Sequence, residues 1–266
     1  MFRPASFLTL GVLSILTVAH TQSAFNQIQI SPPLRQVPPP ARSASADELE
    51  KEGDQLRSQK AYLDAIDYFH AALEKEPDRA SVLNKIGISE LMLQHYKDAG
   101  KSFEQAIKRD RHFSEAYNNL GVVDYSRRKY GAAIKKYRKA IEMAPDSPSF
   151  YSNLGAAYFA VKNYERASQA YAKAVELDPH IFERTSHTGI AAQMASPEDR
   201  ARYDYVLAKL YAKMGDRDRS LEYLRRAIEE GYKGVNDVYR DPEFADLRKD
   251  SRFLELMKAR PVPIPE

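Results

Sequence analysis

Between residues 46 and 181, apolar side chains return at steps of three and four, as in Leu83, Ile86 and Gly87, or Tyr117, Leu120 and Gly121. That rhythm lays them along one face of a helix and excludes strand alternation. The pattern also repeats on a longer scale. "AYNNLGVVDY" at 116–125 is followed 34 residues later by "FYSNLGAAYF" at 150–159. At the same step Gly53, Gly87, Gly121 and Gly155 form one column, and Ala65, Ala99, Ala133 and Ala167 another. Phe69, Phe103, Tyr137 and Tyr171 form a third, with further columns at Ala72, Ala106, Ala140, Ala174 and at Tyr62, Tyr96, Tyr130, Tyr164. Pro77, Pro145 and Pro179 close three units, and Arg111 stands where the fourth proline would be.

The units are therefore 46–79, 80–113, 114–147 and 148–181, each predicted to hold two helices of about 13 residues joined by a short turn near the Tyr62 column. A glycine inside a helix costs ~1 kcal/mol relative to alanine. Its recurrence predicts a crossing where a Cβ would block a neighbour, with the small alanine column facing it and the aromatic column filling the wider gap beside it. Proline, with no N–H to give, ends each second helix. Ser147–Pro148 is a cap and first-turn pair, and Ser45 with Glu48 is a capping box at the start of the array.

This pattern resembles the tetratricopeptide repeat (TPR): a large residue, Leu-Gly, Tyr, then Ala, an aromatic and Pro at fixed offsets. Unit four carries it as Tyr151, Leu154, Gly155, Tyr158, Ala167, Tyr171, Ala174 and Pro179. A fifth unit at 201–234 has Leu207, Ala208, Tyr211, Leu224 and Ala227 in the corresponding places, with Ala208 for the glycine and Ser220 for the alanine. Before it lies an insert, 182–200, ending in "SPEDR", where Ser196 and Pro197 read as a helix start. The first helix of unit five is expected to begin near 197 and to be long, with a loop or helical turn at 180–195. At 235–259 two short helices, capped by Asp241 and Asp250, would use Phe244, Leu247, Phe253, Leu254 and Met257 to cover the last repeat, as stacked arrays require. The resemblance implies an all-α, right-handed α-solenoid of five helix hairpins with a C-terminal helical cap.

The chain ends read differently. Arg3 is the only ionised side chain before residue 35, and it precedes a 13-residue apolar run at 7–19, with Ala19 at its end and Ala24 beyond it as cleavage points. This is the layout of a signal peptide over 1–24, too short for a comfortable span. It predicts an exported protein, periplasmic or extracellular, with no stable membrane span after cleavage; an uncleaved N-terminal anchor is the alternative. Residues 25–45, with five prolines, read as a disordered linker, and 260–266 as a second proline-rich tail.

Candidate chemistry is sparse. The absence of cysteine excludes disulfides, thiolate metal sites and cysteine nucleophiles. No histidine pair has metal-binding spacing on a helix, Ser186 beside His187 reads as a surface polar pair, and no glycine-rich phosphate loop is present. No cofactor or metal is expected, and no enzyme activity. Arg127, Arg128, Lys129, Lys135, Lys136, Arg138 and Lys139 form a basic run, but a net charge of +3 and expected export argue for a solvated face and against nucleic acid.

In TPR arrays the first helices line a concave groove. The resemblance places there Asn84, Ile88, Leu91 and Met92 from unit two, Asn118, Val122 and Tyr125 from unit three, and Ser152, Ala156 and Phe159 from unit four. Asp47, Glu50, Asp54 and Arg57 would stand at one end, and Tyr205 and Lys209 at the other. The expected groove is apolar in its middle and charged at its ends, with Asn84 and Asn118 able to grip a peptide backbone. For each residue the alternative is packing between first helices. The basic residues of the family's carboxylate clamp are missing from the matching positions. The expected role is a non-catalytic scaffold or adaptor holding an extended or helical segment of another protein. A self-assembling envelope protein is a second reading, and an enzyme with a site near the insert a third.

Overall fold

The structure, a computed structural model, describes residues 35, 37–185 and 196–259. The expected signal peptide, residues 25–34 of the linker, the Ser186–His187 pair and the tail at 260–266 lie outside the described residues. Within the body spanning 35–266, the described residues form helices joined by turns, with no strand among them.

Four hairpins follow the 34-residue period: α1 (Ala46–Ser58) with α2 (Tyr62–Lys75), α3 (Ala80–Met92) with α4 (Tyr96–Arg109), α5 (Ser114–Ser126) with α6 (Tyr130–Met143), and α7 (Pro148–Ala160) with α8 (Tyr164–Leu177). Each second helix also packs on the first helix of the next unit, so the hairpins stack into an α-solenoid. α9 (Ile181–Thr185) occupies the start of the insert, and α10 (Pro197–Lys213) pairs with α11 (Arg217–Glu229) as the fifth hairpin. Three 3-10 turns between Val235 and Lys249 and a final α12 (Ser251–Ala259) follow.

The glycine column has a different partner from the one its spacing suggested. The alanines at 65, 99, 133 and 167 are fully buried. The atoms nearest a Cβ placed on Gly53, Gly87 or Gly121 are nevertheless ring carbons of Phe69, Phe103 and Tyr137, at 2.6 Å. Gly155 and Tyr171 repeat the arrangement. Each glycine thus admits the aromatic ring of its own hairpin. In unit five both members change together: Ala208 stands with Leu224, both fully buried, and Ser220 donates a hydrogen bond to the Ala208 carbonyl at 2.9 Å.

The turns inside the hairpins share a second register. Lys60, Gln94, Arg128 and Lys162 have φ of 59–64°, and Gly215 has 80°. The next N–H closes back on the helix, from Ala61 to Leu56, His95 to Glu90, Lys129 to Asp124, Asn163 to Tyr158 and Asp216 to Tyr211. This is the Schellman closure, which needs one left-handed residue. Only unit five supplies glycine for it.

Helix starts follow the sequence closely. Ser45 and Glu48 form the capping box, and Ser196 accepts from the Asp199 N–H ahead of Pro197 at the first turn of α10. Pro148 opens α7, but the Ser147 hydroxyl meets Ser149 instead of capping. At the C-terminal end the first expected helix is replaced by 3-10 turns, and Asp241 makes no side-chain cap. Val238, Phe244, Leu247, Phe253 and Met257 are buried in one cluster with α10 and α11, whereas Leu254 is exposed.

The proline-rich segment expected to be a free linker as far as residue 45 is held on α2 over its last third. Arg35 forms a two-pronged ion pair with Asp67 at 2.5 and 3.0 Å. The Tyr68 hydroxyl donates to the Pro38 carbonyl and Lys75 to that of Arg42. Val37 and Ala44 lie against the core of unit one. Unit one has no preceding hairpin, so this segment covers apolar surface that would otherwise face water.

Candidate protein-binding surface

The first helices α3, α5 and α7 lie side by side, in contact from one unit to the next. Down this surface runs a chain of amides. Asn153 Nδ2 donates to Asn118 Oδ1 at 2.9 Å, Asn118 Nδ2 to Asn119 Oδ1 at 3.2 Å, and Asn119 Nδ2 to Asn84 Oδ1 at 3.0 Å. Asn84 and Asn118 are buried. Each of these carbonyl oxygens accepts one hydrogen bond from the next unit, which ties the two amides into the stack. A residue and one 35 positions later become neighbours only when hairpins stack, so the sequence alone did not reveal this chain.

The other expected groove residues divide by exposure. Tyr125, Ala156 and Phe159 are buried, at 8%, 5% and 5% exposure. Tyr125 packs edge-on against Tyr130, and Phe159 against Tyr164 and Tyr203. Tyr130 and Tyr164 begin the second helices, so the return of each hairpin covers Tyr125 and Phe159, and Tyr203 of α10 adds to the cover of Phe159. Ile88, Leu91, Val122 and Ser152 are half-buried and Met92 is exposed, so apolar atoms remain accessible beside the amide chain.

The ends of the surface are closed by this chain's own charges. Arg79 bridges Asp47 at 2.6 Å, Glu50 at 2.8 Å and Glu76 at 2.7 Å. Lys85 reaches Glu50 at 2.7 Å and Asp54 at 2.5 Å, and burial of its ammonium is outweighed by these two carboxylates, which hold its pKa above the ordinary lysine value. At the other end Tyr205 stacks on Tyr232 with centroids 4.4 Å apart and donates to Asp241 at 2.7 Å. Lys209 pairs with Asp241 and Glu243 at 3.0 and 3.4 Å. The segment 232–244 thus covers the first helix of unit five.

Elsewhere the described residues hold no group of three or more potential metal ligands. A 760 Å³ cleft between α8 and α10 contains Glu165, Lys209, Lys213 and Glu243, of which Lys209 and Glu243 are committed to each other. In unit three the basic run is solvated: Arg127, Arg128, Lys129, Lys135, Arg138 and Lys139 are exposed, and Lys136 lies over the Tyr117 ring.

The family models for tetratricopeptide repeats match residues 51–111, 148–181 and 201–230, and that for the TPR repeat matches 123–162. The chain belongs to the tetratricopeptide-repeat family. The match at 148–181 has the bounds read for unit four, and that at 201–230 begins where unit five does. Among solved structures, MamA 41-end from Desulfovibrio magneticus RS-1 shares 20% identity at a TM-score of 0.51, over 71% of this chain and 97% of that one. TTC0263, a thermophilic TPR protein of Thermus thermophilus, shares 20% identity at 0.49, over 80% and 99%. YrrB, described as a TPR protein with an unusual peptide-binding site, shares 18% identity at 0.47, over 80% and 92%. At these identities the likeness concerns the fold. No curated protein sequence matches. In this TPR protein, no helix among the described residues is long and apolar enough to cross a membrane.

Proposed function

We propose that this TPR protein is a non-catalytic scaffold that holds an extended or helical segment of another protein against its first helices. The observation that supports this most directly is the accessible apolar row of Ile88, Leu91, Met92 and Val122 beside an amide chain that links the units. Accessible apolar surface of this kind marks interaction sites, and methionine adapts to varied partners. The rigid amide chain lowers the ordering cost of capture. Affinity then comes from apolar anchors, with Ser152 at the edge. The amides of Asn84 and Asn118 act by fixing the helices.

The same proposal places the protein outside the cytoplasm, on the strength of the apolar run at 7–19. Crosslinking in native extracts followed by mass spectrometry, run in parallel on the natural chain and on Leu91→Glu and Val122→Glu, tests the binding surface. The partner crosslinked by the natural chain should be lost from both variants while helical circular dichroism is kept. Its retention by both would overturn the assignment. Intact mass of the protein recovered from the cell envelope tests processing near Ala19 or Ala24.

A further inference from the structure

Antiparallel hairpins stacked in one direction put all their internal turns on one edge of the solenoid and all the connections between units on the other. The two edges differ in charge. On the internal-turn edge Lys60, Arg127, Arg128, Lys129, Lys162 and Lys213 are exposed, and none of them forms an ion pair among the described residues. Across 57–62, 91–96, 125–130, 159–164 and 212–217 the only acid is Asp216, which is held by Arg219 at 2.9 Å. On the opposite edge acids accompany the cations: Arg79 meets three carboxylates and Arg109 meets Asp78, Arg111 has no ion pair among the described residues, and Asp110, Asp146 and Asp178 lie in the connections.

The turns are also neighbours in space. Gln94, His95, Asp98 and Arg127 border one shallow depression, where Asp98 is held by Lys101 at 2.9 Å, and Tyr164, Glu165, Lys213 and Met214 border the cleft between units four and five. Three of the most exposed large apolar side chains lie among these cations: Met92 at 55%, Val161 at 46% and Met214 at 48%. The left-handed backbone at Lys60, Arg128 and Lys162 sets those cations at the turns themselves.

We infer that this edge docks on an anionic lipid surface, with the cations at the headgroups and Met92, Val161 and Met214 in the interface. Cations interleaved with accessible apolar side chains are what a bilayer interface recognises, and each Lys or Arg near an anionic leaflet adds to the attraction. A nucleic acid would call for free aromatic rings to stack on bases. Of the four turn tyrosines, Tyr130 is engaged edge-on with Tyr125 and Tyr164 with Phe159, and Tyr62 and Tyr96 are half-buried. The contact is peripheral and shares only Met92 with the partner surface on the first helices.

The chain has no cysteine, so single labels can be placed at will. Full-length Val161→Cys and, on the opposite edge, Asp146→Cys are labelled with an environment-sensitive fluorophore. They are then mixed with vesicles of phosphatidylcholine alone or with phosphatidylglycerol added. The 161 label should shift only with the anionic vesicles, the 146 label should stay unchanged, and added salt should reverse the shift. Replacing Arg127→Gln, Arg128→Asn and Lys129→Gln together in the 161-labelled chain should weaken vesicle binding about 100-fold. Met92→Ser with Met214→Ser gives a second variant with the cations intact, and it should also weaken binding. Equal responses at 161 and 146, a silent 161 label, binding unaffected in both variants, or the same shift with duplex DNA would each overturn the inference. A vesicle held only through the apolar run at 7–19 leaves the 161 label silent and is scored against it.

Discussion

Gly121 and Tyr137 occupy one space: a Cβ on the glycine would sit 2.6 Å from Cε1 of the ring. Tyr137 is fully buried and cannot swing away. Gly121→Ala should therefore cost about 1–3 kcal/mol in urea unfolding, as overpacking does. Unit five carries the compensated pair, Ala208 with Leu224. Adding Tyr137→Leu to Gly121→Ala should recover part of the loss, and a double-mutant cycle should give a clear coupling energy.

The hydroxyls of Tyr137 and Tyr171 are buried with no hydrogen-bond partner, and burial pushes both phenols well above their ordinary pKa. Units one and two carry Phe69 and Phe103 at this place. Tyr137→Phe and Tyr171→Phe should each be neutral or stabilise the fold by about 1 kcal/mol, because an unsatisfied polar group is removed and the ring is kept. Thermal unfolding of the two variants checks this.

Four internal turns force a left-handed conformation on Lys, Gln or Arg. Such a residue carries about 1–2 kcal/mol of strain that glycine avoids, part of which glycine returns through its freer unfolded chain. Gln94→Gly should raise stability by about 0.5 kcal/mol, while Gly215→Val, at φ 80°, should lower it. Denaturant midpoints at unchanged slope would show both.

Asp204 stands in the column that holds Leu49, Leu83, Tyr117 and Tyr151, and it is 8% exposed. Burial first, then the nearby Glu230 and Glu222 against Arg226 and Arg200, raises its pKa to about 7. A carboxyl whose folded pKa is raised favours the fold when protonated. Its contribution is fully present below the unfolded value of about 4 and is lost as pH rises through about 7. Asp204→Asn should thus raise the unfolding free energy at pH 8 by on the order of 2–4 kcal/mol and change little at pH 4. A stability difference independent of pH would contradict this account.

Particular residues show how far the sequence could be read. The register of Gly53, Gly87, Gly121 and Gly155 announced stacked hairpins, because a 34-residue period in small and aromatic residues has few other physical uses. Ser196–Pro197 announced the long α10, because capping is local chemistry. The turn register at 60, 94, 128 and 162 was present as spacing but was hidden by residue type, since Lys, Gln and Arg give no sign of a left-handed backbone. The candidate surface was legible as a set of positions. Exposure then separated Leu91 and Val122 from Tyr125 and Phe159, which the fold buries.

The sequence by itself determined the helices, their pairing and their order, since period, caps and breakers act within a few residues of one another. The tertiary structure alone decided what each side chain meets across the stack. It gave the glycines to aromatic rings, joined Asn84, Asn118, Asn119 and Asn153 into one amide chain, seated residues 37–44 on α2, and gathered unpaired cations on one edge. Most of those contacts join residues far apart in the chain, and their partners are set by the packing of one helix on another, which no local pattern records.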